Sequence, residues 1–445
     1  MTKKTALVTL GCCKNEVDSE LILGFLKSKG FEITTDLSVA QVIIVNTCGF
    51  IESAKQEAID TILDMASFKE DGVCEDLIVT GCLAKRYKKE IYSNIPEVDL
   101  VIGVDEYNSI DQIFSEYFNL RQENLGLDFN NRMISTKFPT AYLRIADGCN
   151  NNCTYCAIPL IRGTLKSRKI EDIVKEAEGL VEKGIKELVV IAQDTTSYGI
   201  DIYGKPMLHA LLKELSKLNC EWLRVLYMYP GKVNDELLLE IKDNPKICKY
   251  FDLPLQHISD NMLKAMNRHT NKQEVYELIY KIRNVVPDAV IRTTVMTGFP
   301  GETDKDFEEL KQALIDFELD RLGAFTYSAE DDTKAGAMEC QIPEEVKQAR
   351  YDEIMRLQQQ VLEKQMAKNI GKTLKVLVQD VSQDEKYFEC RSYMDAPDVD
   401  PKIYLPITKD TSNIIIGDFY NVKITKIHGY DYICEYVEEK ELDYV

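Results

Sequence analysis

The chain has 445 residues, of which 45% are hydrophobic and 29% are charged, so we expect a globular protein of two or three domains. No apolar run is long enough for a signal-peptide core or a membrane span, which predicts a cytoplasmic protein without a membrane partner. The net charge of −20, from 74 acidic and 54 basic residues, disfavours binding to a nucleic-acid backbone and favours a basic protein partner.

The first 110 residues alternate between predicted strands and helices. Helical periodicity follows each strand, most clearly over residues 16–29, before Gly30, and over residues 51–65. Strands that alternate with helices indicate a doubly wound parallel sheet. The three predicted strands are residues 5–10, 41–45 and 76–80.

A cysteine follows each of these three predicted strands. The residues are Cys12, Cys48 and Cys82, each next to a small residue. Ligands bind beyond the carboxyl ends of the strands in an open parallel sheet, so the three thiols can converge on one point.

The central part of the chain reads as a second β/α series. Residues 111–140 are polar and irregular and are predicted to be a linker. Helical periodicity at 170–183, 206–218, 232–242, 259–267, 272–285 and 303–316 alternates with strands, which favours a partial β/α barrel. The predicted strands are residues 142–146, 187–192, 222–227, 250–253, 289–296 and 322–327.

The last part of the chain begins with a long charged helix. It is predicted over residues 343–369 and stops at Gly371. Short strands follow at 373–378, 387–391, 403–405, 421–427 and 432–436, and they indicate a small β-barrel. The fold class is therefore α/β, with domains at residues 1–115, 135–369 and 370–440.

Three closely spaced cysteines follow the first strand of the central series. Cys149, Cys153 and Cys156 have the spacing Cys-x₃-Cys-x₂-Cys, and no fourth cysteine lies nearby. Three thiolates can hold three irons of a cubane cluster and leave the fourth iron open to S-adenosylmethionine, whereas an electron-transfer cluster uses four cysteines. A structural zinc site would need a fourth ligand, and three unrelated buried cysteines are the other alternative.

This cysteine loop resembles that of the radical S-adenosylmethionine superfamily. With the amino-terminal triad, the chain is similar to the methylthiotransferases, and most similar to the RimO-type branch that acts on protein twelve of the small ribosomal subunit. The resemblance covers nearly the whole chain. The segments that carry it are residues 10–15, 46–50, 192–199, 226–230, 252–259 and 298–302.

The resemblance implies a reaction and its cofactors. Two [4Fe-4S] clusters are implied, one held by Cys149, Cys153 and Cys156 and an auxiliary one by Cys12, Cys48 and Cys82, together with S-adenosylmethionine. The implied reaction adds a methylthio group to the β-carbon of an aspartate in the basic ribosomal protein. It needs an electron donor, such as flavodoxin or ferredoxin, and a sulfur source.

Residues at the strand ends are candidates for binding S-adenosylmethionine, although turn capping or loop packing also accounts for each of them. No catalytic residue beyond the cluster ligands is predicted. The candidates are Tyr155, Gln193, Asp194, Gln256, Gly298 and Glu302.

Cys13 stands where the family commonly has proline. It is either a bystander or an alternative thiolate beside Cys12. Six further cysteines have no cluster spacing and are interpreted as ordinary small side chains. They are Cys74, Cys220, Cys248, Cys340, Cys390 and Cys434.

Three alternative functions stay open from the sequence. The carboxyl-terminal segment resembles a TRAM domain, which contacts RNA in tRNA-modifying relatives, so a tRNA adenosine methylthiotransferase with the same two clusters is the first. The balanced charge of that segment makes direct tRNA binding the less favoured interpretation. A non-catalytic iron–sulfur electron-transfer or scaffold protein is the second, and a zinc-binding interaction protein is the third.

Overall fold

The computed structural model describes residues 3–123 and 125–438. Residues 439 and 440, the end of the third predicted domain, lie outside the described part. Within it, no helix combines the length and the apolar character that a membrane span requires.

The amino-terminal unit is a five-stranded parallel sheet with helices on both faces, as predicted. Its strand order is β2-β1-β3-β4-β5, and two of the strands, β2 and β5, were not predicted. The strands are β1 (Lys4–Thr9), β2 (Glu32–Ile33), β3 (Val42–Thr47), β4 (Asp76–Gly81) and β5 (Leu100–Gly103). The helices are α1 (Cys13–Ser28), α2 (Glu52–Glu70), α3 (Cys82–Arg86), α4 (Lys88–Asn94) and α5 (Ile110–Tyr117).

This strand order places the topological switch point between β1 and β3, where doubly wound sheets bind ligands. Strand β3 is buried along its whole length because helices cover both faces of the sheet. The loops that follow β1, β3 and β4 therefore emerge at one edge of the sheet.

Helix α5 corrects the linker prediction for residues 111–140. Its residue Phe114 is buried against Phe25 of α1, with ring centroids 5.6 Å apart. Farther along, Arg132 is buried and pairs with Glu20 of α1 and with Glu176. The segment is therefore packed against both of its neighbours, which its polar sequence did not indicate.

The central unit is the predicted partial barrel. Parallel strands follow one another in chain order in two three-stranded sheets, β6-β9-β10 and β11-β12-β13. A parallel bridge links Leu223 of the first sheet to Ile247, three residues before the second sheet begins. All six strands lie within two residues of their predicted bounds: β6 (Thr140–Arg144), β9 (Glu187–Ile191), β10 (Trp222–Val225), β11 (Tyr250–Asp252), β12 (Val290–Thr297) and β13 (Arg321–Thr326). A short hairpin of β7 (Ala146–Asp147) and β8 (Lys166–Ser167) was not predicted.

Most helices around these strands lie at the predicted positions, but the short helices at residues 158–162 and 200–203 were not predicted. The inner faces of the longer helices build one apolar core together with the barrel. The helices are α6 (Ile158–Arg162), α7 (Ile170–Glu182), α8 (Ile200–Tyr203), α9 (Leu208–Leu215), α10 (Asp235–Asp243), α11 (Asp260–Ala265), α12 (Lys272–Val285), α13 (Asp304–Phe317) and the long α14 (Glu344–Ala367).

The carboxyl-terminal unit is a closed five-stranded barrel with its own apolar core. It docks on the central unit through Glu187 of β9, which pairs with Arg224 of β10 and with Arg391 of the small barrel. Its strands are β14 (Thr373–Val381), β15 (Tyr387–Ser392), β16 (Ile403–Pro406), β17 (Phe419–His428) and β18 (Asp431–Tyr436).

Candidate active site

One cavity of about 980 Å³ lies where the amino-terminal sheet faces the central barrel. The strand ends of both units open into it. All six cysteines that were predicted as cluster ligands line this cavity: Cys12, Cys48, Cys82, Cys149, Cys153 and Cys156.

The first triad is built by the loops after β1, β3 and β4. Cys12 caps α1, Cys48 follows β3, and Cys82 begins α3. Gly11 has a φ of +90°, and a Cβ atom there would lie 2.7 Å from the Cβ of Cys48. Only glycine therefore lets the first loop approach Cys48 so closely.

Burial raises the pKa of two thiols in this triad. The pKa of Cys82 is raised to about 12, mainly by burial, with Arg162 acting in the opposite direction and the neighbouring Cys12 and Cys48 adding to the rise. The pKa of Cys48 is also raised, mainly by burial and in part by Cys12. The triad thus combines one buried thiol, one half-buried thiol and the exposed Cys12, and all three would lose their protons on binding metal.

The second triad lies on the loop between β7 and α6. Gly148 begins this loop with a φ of +69°, and a Cβ atom there would lie 2.1 Å from the carbonyl oxygen of Thr164. Thr154 anchors the middle of the loop, because its N–H donates to the Met266 carbonyl and its hydroxyl to the Ala265 carbonyl. Burial raises the pKa of Cys156 to about 12, with contributions from the other two cysteines of the triad.

Arg162 connects the two triads. It lies at the end of α6, and its guanidinium pairs with Asp18 of α1 at 2.7 Å and with Asp147 at 3.2 Å. The same group donates to Asn15 at 2.9 Å and lies 3.8 Å from the Cys82 sulfur. This buried network fixes the second cysteine loop against the helix that follows Cys12.

Four of the six predicted S-adenosylmethionine residues line the cavity, namely Tyr155, Gln193, Asp194 and Gln256. The side-chain oxygens of Gln193 and Gln256 are buried and accept no hydrogen bond within the described residues, so both can accept one from a ligand. Asp194 is satisfied internally, since its carboxylate accepts from Asn151 and from the adjacent turn and pairs with a lysine.

Gly298 and Glu302 do not line the cavity. The buried carboxylate of Glu302 accepts from the Gly298 N–H at 2.7 Å, pairs with Arg350 at 2.6 Å and lies 3.0 Å from the His257 ring. The structure therefore gives Glu302 a bracing role between β12 and α14, outside the cavity.

Several polar residues of the cavity were not predicted from the sequence. Arg268 lies 4.1 Å from the ring of Tyr229, with one nitrogen 4.0 Å from the Cys153 sulfur. Lys14 lies over the ring of Tyr227 at 2.9 Å. Lys14 and Asn15 lie within residues 10–15, which carry the family resemblance, but their distance in sequence from Tyr227 does not indicate that these side chains meet.

Cys13 contacts a tyrosine of the cavity wall. Its sulfur lies 3.3 Å from the Tyr227 hydroxyl, and Cys13 is not among the residues that line the cavity. The arrangement favours the interpretation that Cys13 is a bystander.

Each cysteine triad supplies the ligand type that an iron–sulfur cluster uses. In the described part of the chain, no three His, Cys, Asp or Glu side chains converge closely enough to hold one metal ion. A cubane cluster presents its ligands on separate irons and does not require that convergence. Each triad supplies three thiols and no fourth.

Family models match all three units of the chain. The Radical SAM superfamily matches residues 143–314, Uncharacterized protein family UPF0004 matches residues 4–103, and the TRAM domain matches residues 370–437. A radical S-adenosylmethionine domain uses a [4Fe-4S] cluster and S-adenosylmethionine, so these two cofactors follow from the first match.

Full-length relatives are similar along the whole chain. A protein of Clostridioides difficile is 47% identical over 444 residues, covering 98% of this chain and 99% of the relative. A protein of Acetivibrio thermocellus is 45% identical and covers 99% of both chains. A protein of Clostridium botulinum is 48% identical and covers 97% of both. Each is called ribosomal protein uS12 methylthiotransferase RimO.

Solved structures with low sequence identity share the fold. The radical S-adenosylmethionine methyltransferase TsrM from Kitasatospora setae superposes with a TM-score of 0.57 at 14% identity, covering 76% of this chain and 77% of TsrM. The cobalamin-dependent S-adenosylmethionine radical enzyme OxsB has a TM-score of 0.50 at 11% identity, covering 82% of this chain and 56% of OxsB. At these identities the likeness concerns the fold alone.

Proposed function

The chain belongs to the RimO family of ribosomal protein uS12 methylthiotransferases, and on that premise we propose that it adds a methylthio group to the β-carbon of an aspartate in uS12. The enzyme is then a transferase of the radical S-adenosylmethionine class. We further propose that it holds a second, auxiliary cluster at Cys12, Cys48 and Cys82.

The observation that carries the proposal is the meeting of two cysteine triads on one cavity. A scaffold or electron-transfer protein would have no need to direct two three-thiol sites at a common space. When bound, two clusters with open irons and S-adenosylmethionine supply the radical chemistry, the sulfur and the methyl group.

The residues of the chain position these groups and exclude water. Arg162, with Asp18 and Asn15, holds the two triads in a fixed relation. Gln193 and Gln256 offer unpaired acceptors to S-adenosylmethionine, and apolar side chains cover much of the remaining wall. A dry cavity protects a reactive radical from side reactions.

The charges of the small barrel support a protein substrate over tRNA. Four of the seven lysines in residues 370–437 pair with acidic neighbours: Lys375 with Glu221, Lys386 with Asp384, Lys402 with Glu389 and Lys423 with Glu435. Lysines that are paired in this way offer less charge to a phosphate backbone. The net charge of −20 attracts a basic ribosomal protein.

The proposed reaction has further requirements. It needs an external electron donor of the flavodoxin or ferredoxin class and a source of sulfur. We propose that it takes place in the cytoplasm, where the ribosomal substrate is found.

A reconstitution with both candidate substrates tests the proposal. The full chain, loaded with iron and sulfide without oxygen, is mixed with a reductant, S-adenosylmethionine, uS12 and bulk tRNA in one reaction. Mass spectrometry should find a methylthio group on a uS12 aspartate and none on tRNA nucleosides. Modified tRNA with unmodified uS12 would overturn the substrate assignment.

Cysteine variants provide the controls for that reaction. Replacing Cys12, Cys48 and Cys82 together by alanine should remove one cluster's iron and abolish methylthio transfer. Cys340→Ala, at an exposed cysteine away from the cavity, should behave as wild type. Unchanged iron content in the triple variant would overturn the auxiliary cluster.

A further inference from the structure

Measured over the whole residue, Lys14, Lys55 and Lys347 of the described chain are more than nine-tenths buried. Two of them have anionic or carbonyl partners. Lys55 pairs with Glu52 and Glu330, and Lys347 pairs with Glu344 and donates to the Tyr327 carbonyl. Lys14 differs, because its ammonium forms no ion pair and no side-chain hydrogen bond with any described residue.

The surroundings of Lys14 leave its ammonium directed to the cavity. Lys14 is the second residue of α1 and lines the cavity together with Tyr227, whose ring centroid is 2.9 Å from the Lys14 nitrogen. The ring is held in place, since the Tyr227 N–H donates to Asp252 at 2.9 Å and its hydroxyl meets the Cys13 sulfur. An aromatic face stabilises a cation but accepts no conventional hydrogen bond from its three N–H donors.

The start of α1 adds a second attraction for an anion. Cys12, the residue that caps this 16-residue helix, makes no side-chain hydrogen bond to the first turn. The first N–H groups of a helix carry partial positive charge and attract carboxylates. Beside this uncapped helix start, a lysine that lines the cavity and forms no ion pair within the described residues can bind an anionic ligand.

We propose that Lys14 binds the side-chain carboxylate of the target aspartate and so selects an acidic residue as the substrate. The proposal rests on the proposed function, because it concerns the same cavity. A carboxylate is the one group of an aspartate side chain that can pair with an ammonium. A lysine at this position would also disfavour a tRNA adenosine as the substrate, because the adenine ring carries no negative charge to pair with it.

A second carboxylate could reach the same cavity, that of S-adenosylmethionine. The placement of Lys14 favours the substrate, because Lys14 follows Cys12 in the amino-terminal unit. The unpaired acceptors of Gln193 and Gln256, which suit S-adenosylmethionine, belong to the central barrel. The experiment must therefore measure the affinities for uS12 and S-adenosylmethionine separately.

The test compares Lys14→Met, Lys14→Arg and Lys27→Met in the full, cluster-loaded chain. Lys27 is an exposed lysine on the same helix and serves as the matched control. Lys14→Met should weaken uS12 binding, measured by fluorescence anisotropy, and lower kcat/KM for methylthio transfer, each by about 100-fold. Lys14→Arg should recover at least part of that loss, and Lys27→Met should match wild type.

A substrate change supplies the second arm. Replacing the target aspartate of uS12 by asparagine should weaken binding to wild type by a similar factor and add little to the loss in Lys14→Met, because both changes remove the same pair. Iron and sulfide per chain, measured for each variant, separate loss of the charge from loss of a cluster.

Two outcomes would overturn the proposal. One is that wild type binds the asparagine form of uS12 within about 3-fold of the natural form, a comparison that needs no enzyme variant. The other is that Lys14→Met loses affinity for S-adenosylmethionine and not for uS12, which would assign the lysine to the cofactor. Failure of wild type to modify uS12 at all would instead refute the proposed function.

Discussion

Replacing Glu187 by glutamine tests how the small barrel is held on the central unit. Glu187 is fully buried, and its carboxylate lies 2.9 Å from Arg224 Nε and 3.1 Å from Arg391 Nη1. Burial alone would raise the pKa of Glu187, but the two guanidinium groups outweigh it and lower the pKa from 4.5 to about 2.

The size of the effect follows from that pKa. A fall from 4.5 to about 2 corresponds to about 3 kcal/mol of stability. Glutamine keeps the shape of the side chain but leaves two buried guanidinium groups without a counter-charge, which costs about 3–5 kcal/mol. We therefore expect Glu187→Gln to lose that much in its free energy of unfolding.

The effect also depends on pH with a defined sign. The folded pKa of Glu187 is lowered, so its stabilisation is present above pH 4.5 and is lost as the pH falls toward 2. At pH 3 about 1.4 kcal/mol of it remains. The difference between wild type and Glu187→Gln should therefore shrink by about 2 kcal/mol between pH 7 and pH 3.

The single tryptophan of the chain reports on this interface. Trp222 of β10 packs edge-on against Phe419 of the small barrel, with ring centroids 4.7 Å apart. Its fluorescence in urea, measured on the iron-free chain so that acid-labile iron does not enter the comparison, gives the free energy of unfolding.

A second pair across the same interface provides the control. Glu221 pairs with Lys375 at 2.6 Å, but both side chains are about half exposed. Glu221→Gln should therefore cost less than about 1 kcal/mol. Equal losses in the two variants, or a Glu187→Gln loss that does not change with pH, would refute the reasoning.

Three further predictions concern the site. Arg162→Met should lower the free energy of unfolding in urea by about 3 kcal/mol, because it removes one of the two buried guanidinium groups that pair with Asp18, the other being that of Arg144, and an unchanged midpoint would contradict this. Gly148→Ala should reduce iron per chain, since the added Cβ would collide with the Thr164 carbonyl, and full iron loading would contradict it. Cys13→Ala should keep the iron of wild type, and loss of one cluster's iron would show that Cys13 is a ligand.

Much of the fold was predictable because most strands carry continuous apolar runs. Strand β9, with the sequence ELVVI, is buried throughout and was predicted to within one residue. Strand β2 and the β7–β8 hairpin contain two residues per strand, too few to produce any periodicity. Helix α5 was missed because it is short and lies at the start of a polar segment that was predicted to be a linker.

The candidate site was predictable only where its signal is local. The spacing of the six cysteines and their position after strands were enough to predict that the two triads converge, and all six line one cavity. Their role as cluster ligands stays a prediction. Arg162 was missed because its partner Asp18 lies 144 residues away in the chain. That Lys14 contacts Tyr227 and forms no ion pair within the described residues likewise depends on side chains that are distant in the sequence.

The most direct measurement uses ribosomes from a bacterial host that lacks its own uS12 methylthiotransferase gene and expresses this chain. Fragment mass spectrometry of uS12 from those ribosomes should locate a methylthio group on the β-carbon of one aspartate. The modification should be absent when Cys149, Cys153 and Cys156 are replaced by alanine. Unmodified uS12 in cells that contain the iron-loaded wild-type chain would contradict the account.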